Sequence, residues 1–476
     1  TGADSSTAAP AHPHRRTKGG GAAGKARPVD APRAAALSVL RAVRAEGAYA
    51  NLVLPPALRE HGLQGRDAAF ATELASGTIR RQGTYDAVLA ACIDRGLRKV
   101  DPAVLDVLRL GTHQLLAMRV PAHAAISTSV DLAHNAGGPG AAGFANAVLR
   151  KVAGQDLDAW LEQVAPPTMP RKERAAIVHS HPRWVVDQLE LAAPDDDLDE
   201  LLAADNVPPR VTLVARPGLA TRDELPGTPT PYSPYGVVLE GGGDPSSIPA
   251  VAEHRAGVQD EGSQLIAHAL AEAPIEGRDE VWLDLCAGPG GKAALLAALA
   301  AQRGARLVAT EPHLHRARLV RRALGAPGLA GKADVVNADG TAAPLRPGSV
   351  DRILVDAPCS GLGALRRRPE ARWRRSADDL IELVMLQRKL LTSALDLVRP
   401  GGVVLYSTCS PVRNETGDVV TSVMRGRPAA ALEDVRPLLP GVEDADGPLD
   451  CTAQLWPHRH GTDAMFLALL RRTDPA

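Results

Sequence analysis

Along the first third of the chain, apolar residues recur at helical spacing. Tyr85, Val88, Leu89 and Cys92 fall at i, i+3, i+4 and i+7, which predicts one buried helix face. Asp101-Pro102 reads as an N-cap followed by proline at the first helical position. It opens a helix that carries Val104, Leu105, Leu108, Leu115 and Leu116. Ile126, Val130 and Ala133 make a further stripe, and Phe144 and Val148 another. With only short Gly/Pro breaks between them, these segments predict an all-helical domain over residues 31–164. It holds no acid, base or metal constellation, so its apolar faces read as core.

Residues 165–255 are mixed. Helices are expected over Arg183–Leu191 and Leu198–Ala204, with the acidic run 195–197 between them as a solvated helix start. Short β pieces follow at Val211–Ala215 and Gly236–Leu239, separated by turn-rich sequence, which predicts a small α+β connecting subdomain. Over residues 256–476 the rhythm changes to short apolar runs alternating with helical stretches, the pattern of an α/β domain with a mostly parallel sheet. The expected strands are Val281–Cys286, Arg306–Thr310, Ala333–Asn337, Arg352–Asp356 and a run from Gly402, with a late strand at Ala464–Leu470. Between the fourth and fifth, Ser376-Ala-Asp-Asp379 resembles a capping box that starts a helix running to Val398 and stopped by Pro400-Gly-Gly.

Composition narrows the class. A net charge of -1 names no partner by bulk charge, so any nucleic-acid surface must come from local basic segments. The cysteines, at 92, 286, 359, 409 and 451, are odd in number and widely spread, which reads as reduced thiols in a cytoplasmic protein. The longest apolar run, Ala293–Ala301, is far short of the roughly 20 residues that span a bilayer. Residues 1–30 carry Arg15, Arg16, Lys18, Lys25 and Arg27 among Ala, Gly, Ser, Thr and Pro. They read as a disordered basic tail without the apolar core of a signal peptide.

The chemistry concentrates past the carboxyl ends of the strands, where ligands bind in open α/β sheets. Gly288-Pro-Gly-Gly291 lies between a strand and a helix, so its backbone can approach a ligand closely; it matches neither phosphate-loop spacing. Glu311 ends the next strand, about twenty residues on, and is placed for two ribose hydroxyls, with Asp339 on the adenine side. A nucleotide-like cofactor without a phosphate cradle points to S-adenosylmethionine. Cys359, Cys409 and Asp356 end two neighbouring strands. A thiolate that adds to C6 of cytosine makes C5 nucleophilic, and a protonated carboxyl can relieve charge at N3. Asp356-Ala-Pro-Cys359 also departs from the Asn/Asp-Pro-Pro-Tyr pattern of exocyclic-amine methylation, which points to carbon methylation. The chemistry leaves open which thiol attacks. Past Cys359 come Arg366, Arg367, Arg368, Arg372, Trp373, Arg374 and Arg375, a segment read as an RNA contact.

Asp284-Leu-Cys-Ala-Gly-Pro-Gly-Gly-Lys292, Asp356-Ala-Pro-Cys-Ser-Gly361 and Ser407-Thr-Cys-Ser410 resemble the signatures of RNA cytosine-5 methyltransferases of the Nop/Sun type. Gln259-Asp-Glu-Gly-Ser-Gln264 and His460-Gly-Thr-Asp-Ala-Met-Phe466 fit the same family. Leu108–Leu116, Val120–Ala125 and Gly143–Lys151 resemble a NusB-like domain, and this fusion is similar to the RsmB (Sun) branch that modifies 16S rRNA. The resemblance implies a Rossmann-like class I methyltransferase domain with a seven-stranded sheet, acting as a monomer on 16S rRNA, free or in a partly assembled small subunit. It implies Cys286, Ala287, Gly288, Pro289, Gly290, Gly291, Lys292, Glu311, Arg316, Asp339 and Asp356 around S-adenosylmethionine. It makes Cys409 the nucleophile and Cys359 the helper in product release. The same reaction on tRNA or 23S rRNA, or a non-catalytic RNA-binding role in assembly or antitermination, are the competing expectations. Two positions depart from the family pattern: Ala293, where threonine is usual, and Glu311, where aspartate is common.

Overall fold

The computed structural model describes residues 27–193, 197–241 and 243–473. Of the tail expected over residues 1–30, residues 1–26 lie outside the described residues, as do the first two residues of the acidic run. The last four are described, with Arg27 paired to Asp131 at 2.8 Å and Asp30 capping the first helix.

Seven helices, Ala31–Glu46, Ala50–Glu60, Gly65–Arg80, Gln82–Cys92, Pro102–Leu116, Ala122–Val152 and Leu157–Val164, build the N-terminal domain. Asp101 caps its helix as expected, accepting from the backbone N–H groups of Ala103 at 2.8 Å and Val104 at 3.3 Å. Tyr85, Val88, Leu89 and Cys92 are all buried. In Ala122–Val152 the buried face is Ala125, Ser129, Leu132 and Ala133, and Ile126 and Val130 are only half-buried. The reason is a close helix crossing. A Cβ on Gly111 would meet Leu149 at 2.8 Å and the Ser129 hydroxyl at 2.9 Å, so small residues occupy the contact. Non-helical backbone at Gly137 and Gly138 divides this long element into the two stripes seen in the sequence.

Helices Arg171–Val178, Arg183–Ala192 and Leu198–Ala204 lead into a small antiparallel sheet. Its strands β1 (Thr212–Ala215), β2 (Gly227–Pro229), β3 (Gly236–Leu239) and β4 (Ala256–Val258) lie in the order β2-β3-β1-β4. Since β4 pairs with β1 through Leu213 and Val258, this sheet extends three residues past the boundary at 255 read from the sequence.

The third part carries β5 (Val281–Asp284), β6 (Arg306–Thr310), β7 (Ala333–Val336), β8 (Val350–Asp356), β9 (Val398–Thr408), β10 (Ala430–Glu433), β11 (Ala453–Gln454) and β12 (Phe466–Arg472). Their order is β10-β12-β9-β8-β5-β6-β7, with the two-residue β11 paired to β12. The run β7-β6-β5-β8-β9 is parallel, and β12 returns antiparallel against β9. Helices Glu261–Glu272 and Gly291–Gln302 pack on one face around Trp282, and Asp379–Leu397 and Gly417–Arg425 pack on the other around Tyr406. Strand β10, Ala-Ala-Leu-Glu, has half-buried residues and no β-branched side chain, so it left no strand signal.

Pro400-Gly-Gly does not separate helix from strand. The helix ends at Leu397, Val398 is already extended, and the three residues lie within β9 as a bulge. Val350 pairs with Val398, and the register then jumps to Arg352 with Val403, with Gly401 at φ +75°. The capping box is likewise half-formed. The Asp379 carboxylate accepts from the Ser376 N–H at 2.8 Å, but the helix begins at Asp379 without a side-chain cap. Among the described residues no helix is long and apolar enough to cross a membrane.

Candidate active site

Parallel pairing sets Asp356 of β8 level with Ser407 of β9, so both chains leave the sheet together. A bond from the Ala357 N–H to the Ser407 carbonyl, 2.9 Å, holds the two exits side by side. Three residues further along the first exit and two along the second, the sulfurs of Cys359 and Cys409 stand 3.4 Å apart. From the neighbouring β5 exit, Lys292 in the first turn of helix Gly291–Gln302 reaches Asp356 at 2.9 Å. The structure thus assembles four chemically active side chains from three strand ends.

Their surroundings are unequal. The hydrogen bond from Cys359, with the nearby cations Arg368 and Lys292, holds the Cys409 thiol below its ordinary value, against the opposing effects of burial and Asp356. Cys359 is pushed well up by that same bond and by burial, with the charges of Cys409, Glu415 and Asp356 adding to it. Burial alone would push the Lys292 ammonium down, but Asp356, Cys409 and Asp284 together hold it above its usual range. Cys409 is therefore the thiol with the greater tendency to ionise, a distinction that residue type alone left open.

Beside the thiols lies the glycine turn, with a cis Gly288–Pro289 bond. A Cβ on Gly288 would sit 2.1 Å from a Glu311 carboxylate oxygen and 2.8 Å from Arg316, so any larger residue would displace one of these side-chain ends. Arg316 donates to the Gly288 carbonyl at 2.7 Å and lies 3.4 Å from the Glu311 carboxylate. Glu311, 2 % exposed, also accepts from the His313 N–H at 3.0 Å. Gly290 adopts φ +115°, and a Cβ there would strike Ala323 at 2.6 Å. Asp339 is exposed and caps the following turn through the Thr341 N–H at 2.8 Å. One buried oxygen of Asp284 has no partner. Burial, with Asp356 close by, pushes that carboxyl up to about 7. Burial likewise pushes the Cys286 thiol well up. A close-approach glycine cradle, a buried acid at the end of the second strand and an unsatisfied carboxyl oxygen fit a polar nucleoside-type ligand bearing hydroxyls and an ammonium.

The arginine-rich segment behaves differently from the RNA surface expected of it. Arg366 is buried and donates to Asp463 at 2.8 Å and to Asp260 at 2.9 Å; Arg367 pairs with the same two carboxylates. Arg372 is fully buried and donates to the Ser180 carbonyl at 3.0 Å and to Asn206 at 2.9 Å. Trp373 donates to the Ile79 carbonyl at 3.1 Å and packs against Gly83 in the helical domain. Glu370 accepts from the Ala50 N–H at 3.2 Å. These five residues form a clasp joining the helical domain, the connecting helices and the catalytic sheet, and the arginines among them are engaged by protein partners. Arg366 and Arg372 are buried and Arg367 and Trp373 half-buried, all four already engaged by protein partners. Arg368 and Arg374 are exposed, both over the Tyr49 ring, at 5.4 and 4.4 Å from its centre, and Arg375 is half-buried. Asp260 and Asp463 lie about a hundred residues from the arginines they neutralise, so no local reading of charge could pair them.

Sequence reasoning also passed over Glu415 and Gln387, which meet behind the two cysteines. Glu415 sits in a short turn over Arg413–Glu415, where no periodicity marks it.

Residues 272–471 match the family described as 16S rRNA methyltransferase RsmB/F, and residues 30–154 match the NusB family. A Mycobacterium tuberculosis protein, named as a methyltransferase with no substrate stated, is 51 % identical over 456 residues, covering 94 % of this chain and 97 % of its own. Ribosomal RNA small subunit methyltransferase B of Pseudomonas putida is 33 % identical over 412 residues, covering 84 % of this chain and 90 % of its own. Among solved structures, PH0851 superposes with a TM-score of 0.76 at 22 % identity, covering 94 % of this chain and all of its own, a likeness of fold.

Proposed function

The chain belongs to the 16S rRNA methyltransferase RsmB/F family, with a NusB-family domain ahead of the catalytic one, and from that premise we propose that it methylates C5 of a cytosine in 16S rRNA through a covalent cysteine adduct. The substrate is the rRNA itself or a partly assembled small subunit in the cytoplasm. The protein acts as a monomer in this reading.

Cys286 to Lys292, Glu311, Arg316, Asp339 and Asp356 would hold S-adenosylmethionine, with Glu311 taking the ribose hydroxyls. When bound, that group supplies an electrophilic methyl on a sulfonium. Cytosine C5 is too weak a nucleophile to take it unaided. The Cys409 thiolate adds to C6, forming the S–C6 bond and pushing an electron pair toward N3 and C5. Asp356, held by Lys292 at 2.9 Å, takes a proton from the Lys292 ammonium as charge gathers at N3 and, in that protonated form, donates a hydrogen bond there. After C5 has been methylated, its remaining proton must leave and the S–C6 bond must break, returning the Cys409 thiolate. Cys359 takes that proton as a thiolate, its own thiol proton having passed to solvent once the S–C6 bond has formed. Its high proton affinity arises first from the bond to Cys409, and that influence ends once Cys409 is tied up in the thioether.

The observation that carries this reading is the pair of thiols 3.4 Å apart beside the Lys292–Asp356 pair. Bisulfite sequencing of 16S rRNA, 23S rRNA and tRNA from a deletion strain and its complemented form tests it. The expected result is one 16S cytosine that loses its mark on deletion. An unchanged 16S profile with a lost mark in tRNA or 23S rRNA would move the substrate, and no lost mark would remove the activity.

A further inference from the structure

Each cysteine of the site is followed by a serine, and the two serines meet the same buried carboxylate. The Ser360 and Ser410 hydroxyls donate to one oxygen of Glu415, at 2.5 and 2.6 Å, and lie 3.1 Å from each other. The other oxygen accepts from the Ser360 N–H at 2.7 Å and from Gln387 at 3.0 Å. Gln387 in turn donates to the Pro358 carbonyl at 2.9 Å, and the Tyr406 hydroxyl donates to the Glu415 carbonyl at 2.7 Å. Glu415, Ser410 and Gln387 are fully buried. Among the described residues no cation pairs with Glu415.

A carboxylate buried without a counterion is costly even when four donors surround it. Packing does not ask for one here, since a neutral side chain would fill the same space. What the carboxylate does is join the residue after Cys359 to the residue after Cys409. We propose that Glu415 is a positioning residue that holds the two thiols in register and sets which of them attacks.

Two effects combine. The tether fixes both exits, so the sulfurs keep their 3.4 Å contact while RNA enters. The fixed negative charge also falls on one side of the pair. Cys359 is faced by Cys409, Glu415 and Asp356, all of which favour its protonated form. Cys409 is faced by Cys359, Asp356, Arg368 and Lys292, and the last two favour its thiolate. Glu415 thus adds to the charges that favour the protonated form of Cys359.

The inference rests on the covalent reading above, but its test separates the two. In the RNA-free protein, iodoacetamide labelling followed by peptide mass spectrometry gives the alkylation rate of each cysteine from pH 6 to 9. Cys409 is expected to react at least about tenfold faster than Cys359 near neutral pH, the ratio that one unit of difference in proton affinity gives. Glu415→Gln keeps the size and removes the charge. It is expected to bring the ratio below about threefold and to lower kcat about tenfold or more while KM for RNA stays within about twofold. Glu415→Asp, which keeps the charge, should return the ratio toward that of the unaltered protein. A folded Glu415→Gln protein with an unaltered ratio overturns the proposal. If that variant does not fold, Ser360→Ala and Ser410→Ala decide: each cuts one link, and an unaltered ratio in both overturns it. Adduct trapping with RNA reads the covalent mechanism on its own. A trapped adduct with an unaltered ratio removes the role of Glu415 alone, and an altered ratio with no adduct removes the covalent mechanism alone.

Discussion

The sulfur of Cys359 lies 3.4 Å from that of Cys409; both face Asp356, but Glu415 adds an anion on the Cys359 side while Arg368 and Lys292 add cations on the Cys409 side. The pair is therefore asymmetric before RNA arrives. If Cys409 attacks and Cys359 releases, Cys359→Ala stalls the reaction after methyl transfer. Incubated with RNA and S-adenosylmethionine, that variant should give an enzyme–RNA band that survives denaturing electrophoresis, and Cys409→Ala should give none. Turnover in either variant should fall by about a hundredfold or more, the usual scale for loss of a nucleophile or proton-transfer group. An adduct found only in Cys409→Ala would exchange the two roles.

Gly288 lies at the closest approach of the glycine turn to Glu311. Alanine there would drive its methyl into Glu311 and Arg316, at 2.1 and 2.8 Å. Glu311 cannot retreat freely, because the His313 N–H holds it from the other side at 3.0 Å. Gly288→Ala should weaken binding of S-adenosylhomocysteine by at least about tenfold in calorimetry, which is about 1.4 kcal/mol. The melting temperature without ligand should move far less than ligand affinity does. Unchanged affinity would place the cofactor away from this turn.

The contrast between the strands and the arginine segment shows which parts of this molecule can be read locally. β5, β6, β8 and β9 are runs of aliphatic residues buried on both faces, so the sequence itself declares them, and their carboxyl ends gather Asp356, Cys359, Cys409 and Lys292. Asp101, acting within three residues, is equally visible. Arg366 is not, because the same basic side chain reads as an RNA contact or as half of a buried pair until Asp260 and Asp463 are brought to it by the fold. Glu415 fails for a related reason: its meaning lies in Ser360, fifty-five positions away. Short-range patterns declared the scaffold and the residues proposed to react, and long-range pairing decided what the remaining charges do.

Arg372 and Arg368 stand four residues apart with opposite fates. Arg372 has no solvent exposure and ties the catalytic domain to Ser180 and Asn206, whereas Arg368 is exposed near Cys409. Arg372→Ala should therefore destabilise the protein by about 2–4 kcal/mol, by stripping buried hydrogen bonds and leaving a cavity. Thermal unfolding would show it, with limited proteolysis expected to cut between the helical domain and the rest. Arg368→Ala should leave stability within about 0.5 kcal/mol and slow alkylation of Cys409. Equal stability effects would dissolve the division between clasp and site mouth.

Behind Arg372, both carboxylate oxygens of Asp205 are buried without a hydrogen-bond donor, and His181 stands 3.4 Å away. Burial pushes Asp205 up to about 7; Arg372 and Arg366 oppose the rise and Asp463 adds to it. In the unfolded chain the same carboxyl titrates near 3.9. Between about pH 4 and pH 7 the unfolded state therefore releases a proton that the folded state retains, and this group's contribution to stability declines as pH rises, levelling off above about 7. Burial holds His181 well below its ordinary value, so it is neutral in the folded protein across most of that window. Asparagine stays uncharged throughout. Asp205→Asn should thus gain stability relative to the unaltered protein between pH 4.5 and pH 7.5. The gain should be on the order of 2 kcal/mol, or a few degrees in melting temperature. A difference between the two proteins that does not change with pH would mean that Asp205 is ionised in the folded state across the whole range, with Arg372 as a true buried ion-pair partner.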